Sequence, residues 1–339
     1  MSASRFGLAL CCAATACLAS FSARAEPTGY PLTIENCGQP VTFAAAPKRA
    51  VALGQNSAEI MLLLGLEDRM AATAFWPTNV LPDLAAANDK VKLLTVEFPK
   101  LESVLAEQPD FVAASLTTLL GPDSKVAKRD DFEQLGIPTY LSPSACATSQ
   151  DTGDGYGSRA QLWSMDLLYQ EIGELSQIFD VADRGEALIA DFKAREAALR
   201  ETFQDDPDLT FLFWFSSPSP ADDAYLGGGN GPSGYIADLL GGSNAIKTEA
   251  EWPTLGWEGI IAARPAVIVV AELDRNRWEL DKAENKIAFL TSDPSVSQMD
   301  AVREGRILTM NGAAMNPSIR TIYGAEELAR QLEALKTPQ

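Results

Sequence analysis

Glu102 stands seven residues before Pro109 in LESVLAEQPDFVAAS, and 156 residues further on Glu258 stands seven before Pro265 in WEGIIAARPAVIVVA. Five more identities, at an offset of 176, align SAEIMLLLG at 57–65 with SGYIADLLG at 233–241 as S-x-x-I-x-x-L-L-G. The offsets differ by 20 because Gly65 and Glu102 are 37 apart while Gly241 and Glu258 are 17 apart. The first copy therefore carries an insertion of that size, around FWPTNVLPDLAAANDKVKLL. A unit of domain length written twice predicts two similar lobes, since a chain of this size exceeds what one core usually serves.

Each copy opens on an apolar strand, RAVALG at 49–54 and LTFLFWFS at 209–216, followed by a glycine-bearing loop and a helix. Asn56 with Glu59 has capping-box spacing at the first such helix. A Glu-led helix then ends at the Pro, and a buried strand follows, DFVAAS or AVIVVA. A last helix-to-strand step closes each copy through LGIPTYLS or EGRILTM. Strand and helix alternate and the strands are continuously apolar, so each lobe is expected to be a parallel α/β sandwich.

The texture changes between the copies. Residues 162–179 and 183–203 read as helices, the second with Ala187, Leu188, Phe192, Ala198 and Leu199 at helical spacing. A helix of that length spans about 30 Å. It suits a rigid connector between two lobes, or a helix packed on the first. The expected division is 26–157 for the first lobe, 158–205 for the connector and 206–339 for the second lobe.

Arg5, the apolar run Phe6 to Ala19 and then Ala23-Arg24-Ala25 predict a signal peptide over 1–25, cleaved before Glu26. No other apolar run approaches the roughly 20 residues needed to span a bilayer. Cleavage removes Arg5 and Arg24 and takes the formal net charge from −19 to −21, which disfavours nucleic acid and anionic lipid as partners. It also removes Cys11, Cys12 and Cys17, leaving Cys37 and Cys146. In an oxidising compartment these can form one intrachain disulfide, tying the N-terminal segment to the far end of the first lobe; otherwise they are buried thiols. The chain-entropy model assigns such a bridge roughly 4–5 kcal/mol.

The chain has no histidine. That excludes Ser-His-Asp and Cys-His catalysis and the His-rich metal sites of exported proteins. A carboxylate-based hydrolase remains an alternative, although no isolated pair stands out among the 46 acids.

From YPLTIENCGQPVTFAAAPKRAVALGQNSAEIMLLLGLEDRM through LESVLAEQPDFV, YLSPSAC, GGNGPSGYIADLLGG and WEGIIAARPAVIVV to the final helix, the mature chain resembles the periplasmic substrate-binding proteins of ABC importers for iron-siderophores and cobalamin. The resemblance implies two Rossmann-like parallel-sheet lobes joined by one long helix, with a ligand cleft between them. It implies a periplasmic monomer, not an enzyme, that delivers a ferric siderophore or related chelate to an ABC permease dimer with its ATPase. No covalently bound cofactor and no protein metal site are expected; haem, cobalamin and other ligands of the same fold stay open.

Ligands of open α/β sheets sit beyond the carboxyl ends of the strands. The loops there carry Gln55, Asn56, Phe75, Trp76, Glu97, Phe98, Leu116, Thr117, Tyr156 and Arg159 in the first lobe. In the second they carry Trp214, Tyr225, Asn230, Trp252, Arg275, Arg277, Trp278, Asn311, Asn316 and Arg320. Aromatic faces suit catecholate, porphyrin or corrin surfaces and Arg suits an anionic chelate, but each aromatic has a core reading too. The residues expected to line the ligand are Gln55, Asn56, Trp76, Phe98, Tyr156, Arg159, Trp214, Tyr225, Asn230, Trp252, Arg275, Asn311 and Arg320. By resemblance, Trp252 matches an aromatic wall of hydroxamate binders. Glu97-Phe98 lies where those binders have a ligand-contacting Arg, and this chain lacks it.

LGGGNGPSG lacks the G-K-[S/T] ending of a nucleotide loop; it reads as a turn or as backbone free to approach ligand or the other lobe. Glu102 and Glu258 fit a helix-dipole role. The resemblance adds another, in which one surface acid on each lobe docks against permease arginines.

Overall fold

Strands as apolar as AVAL and VIVVAE need cover on both faces, and the helices that alternate with them supply it. The computed structural model describes residues 26–148 and 157–336; the predicted signal peptide lies outside them. A hairpin not expected from the sequence comes first, β1 (Leu32–Asn36) antiparallel to β2 (Gln39–Phe43). The first lobe then builds a five-stranded parallel sheet from β3 (Ala50–Leu53), β4 (Met70–Ala74), β5 (Lys92–Leu93), β6 (Phe111–Ala114) and β7 (Thr139–Leu141). Its order is β5-β4-β3-β6-β7.

The second lobe repeats that plan with β8 (Thr210–Ser216), β9 (Ala224–Leu226), β10 (Ser243–Asn244), β11 (Thr254–Leu255), β12 (Val267–Glu272) and β13 (Ile307–Asn311). Strand β12 runs parallel between β8 and β13, and β10 pairs parallel with the other edge of β8. β9 and β11 add an antiparallel flap. In both lobes the strand order reverses beside the opening strand, between β3 and β6 and between β8 and β12, and this is where such sheets open a crevice.

Seven helices carry the rest of the argument: α1 (Gln55–Leu63), α2 (Leu101–Leu105), α3 (Asp166–Ile178), α4 (Ala182–Thr202), α5 (Pro232–Leu239), α6 (Trp257–Ala263) and α7 (Arg320–Lys336). The two echoes fall on equivalent elements, S-x-x-I-x-x-L-L-G on α1 and α5 and the Glu-to-Pro phrase on α2 and α6. The connector is α3 followed by the 21-residue α4. Helix α1 departs from expectation: its N-cap is Gly54, with no side-chain cap. Asn56 and Glu59 therefore lie inside the helix and form no capping box.

The period-2 alternation of the strands sorts the core. Ala50, Ala52, Phe211, Phe213, Val267, Val269, Leu308 and Met310 turn to the inner faces, where they join one apolar cluster with residues of α1, α3, α4, α5 and α7. Val51, Leu53 and Val112 face a separate outer layer in the first lobe, and Leu212, Trp214 and Val270 face one in the second. The lobes are thus joined by a continuous core that includes Ile172 and Leu175 of α3 and Phe192 of α4.

Cys37, in the turn of the hairpin, is bonded to Cys146 across a sequence separation of 109. Asn36 reinforces the join, exchanging two 2.8 Å hydrogen bonds with the backbone of Leu141. The glycine-rich loop packs on its own lobe. A Cβ on Gly228 would sit 2.0 Å from the Ala250 carbonyl and one on Gly234 1.8 Å from the Gly229 carbonyl. These glycines permit close packing within the lobe, and the same loop reaches the connector through Asn230, whose carbonyl accepts the Trp163 N–H at 2.8 Å.

Candidate functional site

The loops at the C-terminal ends of the two sheets reach each other. After β4, the Asn79 N–H donates to Asp274 Oδ2, just past β12, at 2.8 Å. Arg320, which opens α7, crosses to Glu59 of α1, donating from Nε at 2.8 Å and from Nη2, and it also donates to the Asn79 carbonyl at 2.6 Å. Asn56 Oδ1 accepts the Ile319 N–H at 3.0 Å. On the other side Arg159 grips Glu251, with Nε–Oε2 3.0 Å, and donates from Nη2 to the Ser144 carbonyl at 3.0 Å. Asn230 donates to the Arg159 carbonyl at 2.6 Å. The facing C-terminal edges are thus fastened at several points, and these buried polar contacts form the floor between the lobes.

That floor is closed to solvent. Arg320 and Glu59 are 7% and 1% exposed, and Arg159 and Glu251 are 4% and 5%. Gln55 bridges Glu59, Thr78 and the Asn79 carbonyl. Beneath Asn56 lies Glu171 of α3, which accepts from Asn56 Nδ2 (3.2 Å), Ser57 Oγ (3.3 Å) and Ser142 Oγ (2.6 Å). Full burial pushes the Glu171 carboxyl up to about 7, against the hydrogen bonds from Ser142 and Ser57. A carboxyl that stays protonated when folded but ionises near its ordinary pKa when unfolded makes stability fall as pH rises from about 4.5 through about 7. The loss is about 3 kcal/mol at most. Glu171→Gln should remove that slope, so that urea unfolding at pH 5 and pH 8 differs less in the variant than in the parent. An equal pH difference in both would refute it.

Half-buried aromatics lie near the strand ends in both lobes. In the first lobe the rings of Phe75 and Phe98 are 4.6 Å apart, with Lys125 Nζ 4.7 Å from the Phe98 centroid. Phe75 holds a φ of 65°, a conformation a bulky residue adopts only when its surroundings impose it. In the second lobe Phe215 meets Trp252 at 4.7 Å and Tyr225 stacks on Trp278 at 5.3 Å. Arg275 lies 5.5 Å from Phe215 and 5.4 Å from Trp278, and Arg277 lies 5.5 Å from Trp278.

The residues expected at the ligand thus divide. Phe98, Tyr225, Trp252 and Arg275 are half-buried. Asn56, Arg159, Asn230 and Arg320 are engaged in fastening the lobes and Gln55 bonds Glu59, Thr78 and Asn79 of its own lobe, so their polar groups already have protein partners. Asn311 caps the turn at 312–315, its Oδ1 accepting from the Ala313 N–H at 2.9 Å. Trp76 is 8% exposed, with Nε1 on Thr73 Oγ1 at 2.8 Å. Trp214 is a correction: fully buried, it packs edge-on against Trp257 and Phe289 in the outer core. Tyr156 lies outside the described residues.

Phe215, Lys125, Asp274 and Glu171 were missed. The signal for Phe215 is the alternation in LTFLFWFS, which sets Phe211, Phe213 and Phe215 on the inner face and leaves Trp214 on the other. Among the described residues no group of three acidic or Cys side chains could hold a metal ion, and no helix is long and apolar enough to cross a membrane.

Comparison with known proteins agrees with the two-lobed α/β fold. Residues 51–314 match the family model described as periplasmic binding protein. The chain is 27% identical over 302 residues to the vitamin B12-binding protein of Vibrio campbellii, covering 87% of this chain and 93% of that one. A periplasmic binding protein from Veillonella parvula superposes with a TM-score of 0.73 at 24% identity, over 90% of this chain and 98% of its own. An ABC-type Fe3+-hydroxamate transport system protein from Saccharomonospora viridis gives 0.68 at 21%, over 90% and 99%. The periplasmic heme binding protein HutB of Vibrio cholerae gives 0.64 at 18%, over 84% and 98%.

Proposed function

This chain belongs to the periplasmic binding protein family, and from that premise we propose that it captures a ferric siderophore or related metal chelate in the interlobe cleft and hands it to an ABC permease and its ATPase. The observation that carries the reading is the pairing of two opposed strand edges rimmed by half-buried aromatics and cations over a floor whose polar groups are already paired. Such a surface offers π-faces and charge to a large rigid ligand. The family's role implies export to the periplasm, which the Arg5-to-Ala25 leader supports.

Closure around the ligand is small in this reading. The connector helices share one apolar cluster with the inner faces of both sheets, and opening the lobes widely would expose it to water at about 25 cal/mol per Å². Glu102 and Glu258, both exposed in the first turn of equivalent helices, are the permease contacts.

Ferric siderophores, ferric citrate, haem and cobalamin titrated against tryptophan fluorescence test the reading. Quenching that saturates with a dissociation constant below ~10 μM, or about −7 kcal/mol, is expected for a ferric chelate. If cobalamin or haem alone binds, the ligand assignment moves within the family. If none binds, the transport reading falls.

A further inference from the structure

We propose that a proton on Glu171 locks the two lobes together, so that capture in the cleft takes up a proton and release returns it; the capture half of this rests on the chelate reading. The carboxyl lies where the lobes and the connector meet. It is carried by α3 and fully buried, and it accepts from Asn56 Nδ2 and Ser57 Oγ at the start of α1 and from Ser142 Oγ just after β7. The same Asn56 amide faces the second lobe with its other end, Oδ1 accepting the Ile319 N–H at 3.0 Å. One side chain therefore joins the carboxyl to the lobe contact. Parting the lobes at Ile319 frees Asn56 to turn and gives water a way to Glu171.

No cation compensates an ionised Glu171. Among the described residues it forms no ion pair, and the nearby charges are spoken for: Arg320 of α7 by Glu59 of α1, and Arg159, which meets the Ser144 carbonyl, by Glu251. The turn at 143–146 brings no charge, its Cys146 being in the disulfide. From α4, Glu196 and Lys193 lie against Tyr169 instead. Glu174, one turn on along α3, adds a negative charge. Tyr140 of β7 donates to Glu174 at 2.6 Å, and burial and the charges of Glu171 and Glu174 push its own pKa well up. While it is dry, the site thus suits a neutral carboxyl. Oε2 keeps Asn56 and Ser142, and a proton on Oε1 is donated to Ser57 Oγ, 3.3 Å away, because a hydroxyl can reverse its role.

With the lobes together, burial holds this carboxyl at about 7, and exposure to water returns it toward its ordinary 4.5. A group whose pKa is higher in the joined state stabilises that state below the open-state value and ceases to do so as pH rises through about 7. Acid therefore favours joined lobes and alkali favours parting. A ligand that needs the lobes joined and the proton then raise each other's affinity by the same factor.

Ferric trihydroxamate and cyanocobalamin serve as probes because neither changes charge between pH 5.5 and pH 8.5. For a probe that binds, calorimetry should show affinity falling about tenfold over that range, the effect of a one-unit pKa difference between parted and joined lobes. Heats compared in phosphate and Tris should show protons taken up on binding. Glu171→Gln should abolish both effects and Glu174→Gln should keep them, which a merely structural contribution of α3 would not do. Hydrogen exchange of the Ile319 amide, corrected for the intrinsic effect of pH, tests the lock without ligand. Its protection should drop about tenfold between the two pH values in the parent and stay level in Glu171→Gln. Equal affinity of a bound probe at both pH values, or a slope that survives in Glu171→Gln, overturns this inference and leaves the chelate reading standing. Protection that follows Glu171 while neither probe binds upholds the lock and counts against the chelate reading. Level protection in the parent overturns the lock whether or not a probe binds, and needs no variant to fold.

Discussion

Glu59→Ala is expected to lower the unfolding free energy by about 5 kcal/mol, the largest loss for any single substitution at the cleft. The carboxylate is 1% exposed and faces the Arg320 guanidinium, 7% exposed, from the other lobe. Removing one partner of such a pair leaves a charge in low dielectric with nothing to compensate it, a cost of about 3–5 kcal/mol. Glu59 also accepts from Gln55 Nε2 at 3.2 Å and from the Leu81 N–H at 3.1 Å, and a buried donor left without a partner adds about 1–3 kcal/mol. In a protein of this size the loss lowers Tm by about 10 °C or more. Urea unfolding and calorimetry measure it.

The double variant Glu59→Leu with Arg320→Met separates charge from packing. It should recover much of the loss, because replacing both ions with apolar groups removes the desolvation cost along with the attraction. It should also weaken ligand capture, since the ion pair holds the Asn79 loop against α7 beneath the cleft. A single Glu59→Ala variant within 1 kcal/mol of the parent would mean that water reaches the pair and that the floor is not closed.

The architecture could be read from the sequence because its determinants are local and repeated. An apolar run ending in glycine, a helix-length segment and a Glu-to-Pro phrase recur in one order, and each sets its element through nearest-neighbour sterics and periodicity. The cleft was readable only in part, because position along a strand decides which lobe surface a residue reaches and partner choice decides what it does there. Trp214 and Phe215 show the first effect: they are adjacent, equally aromatic and at a strand end, yet alternation buries one in the outer core and turns the other to the cleft. Asn56 and Glu59 show the second. Their spacing fits a helix cap, but Arg320, 261 residues from Glu59 in the sequence, and Glu171 of α3 engage them instead. No local pattern encodes a contact of that separation. The hairpin β1–β2 was missed although its signal is local, since Leu32, Ile34, Val41 and Phe43 alternate with exposed Thr33, Glu35 and Thr42 around the Cys37-Gly38 turn.

Substituting Glu102 and Glu258 together by Ala should abolish uptake of the ligand by cells while leaving its affinity for the purified protein unchanged. The two acids are exposed, each in the first turn of the helix that feeds the strand next to the opening strand of its sheet, α2 into β6 and α6 into β12. Two lobes built on one plan therefore present one acid each from equivalent positions, the arrangement a two-fold permease dimer would meet with one basic site on each subunit. The helix dipole offers a rival account, worth up to about 1 kcal/mol at an exposed first turn. That account predicts a small stability loss in each variant and normal uptake in both. Docking predicts partial uptake in each single variant, none in the double, and a stronger block from Glu→Lys, because repulsion then replaces attraction across the interface. Uptake of radiolabelled ferric chelate by cells, with periplasmic protein levels and in vitro affinity measured alongside, distinguishes the two. Loss of affinity in the double variant would move these residues from docking to ligand binding or folding, and normal uptake would leave the repeated acid as a helix start and nothing more.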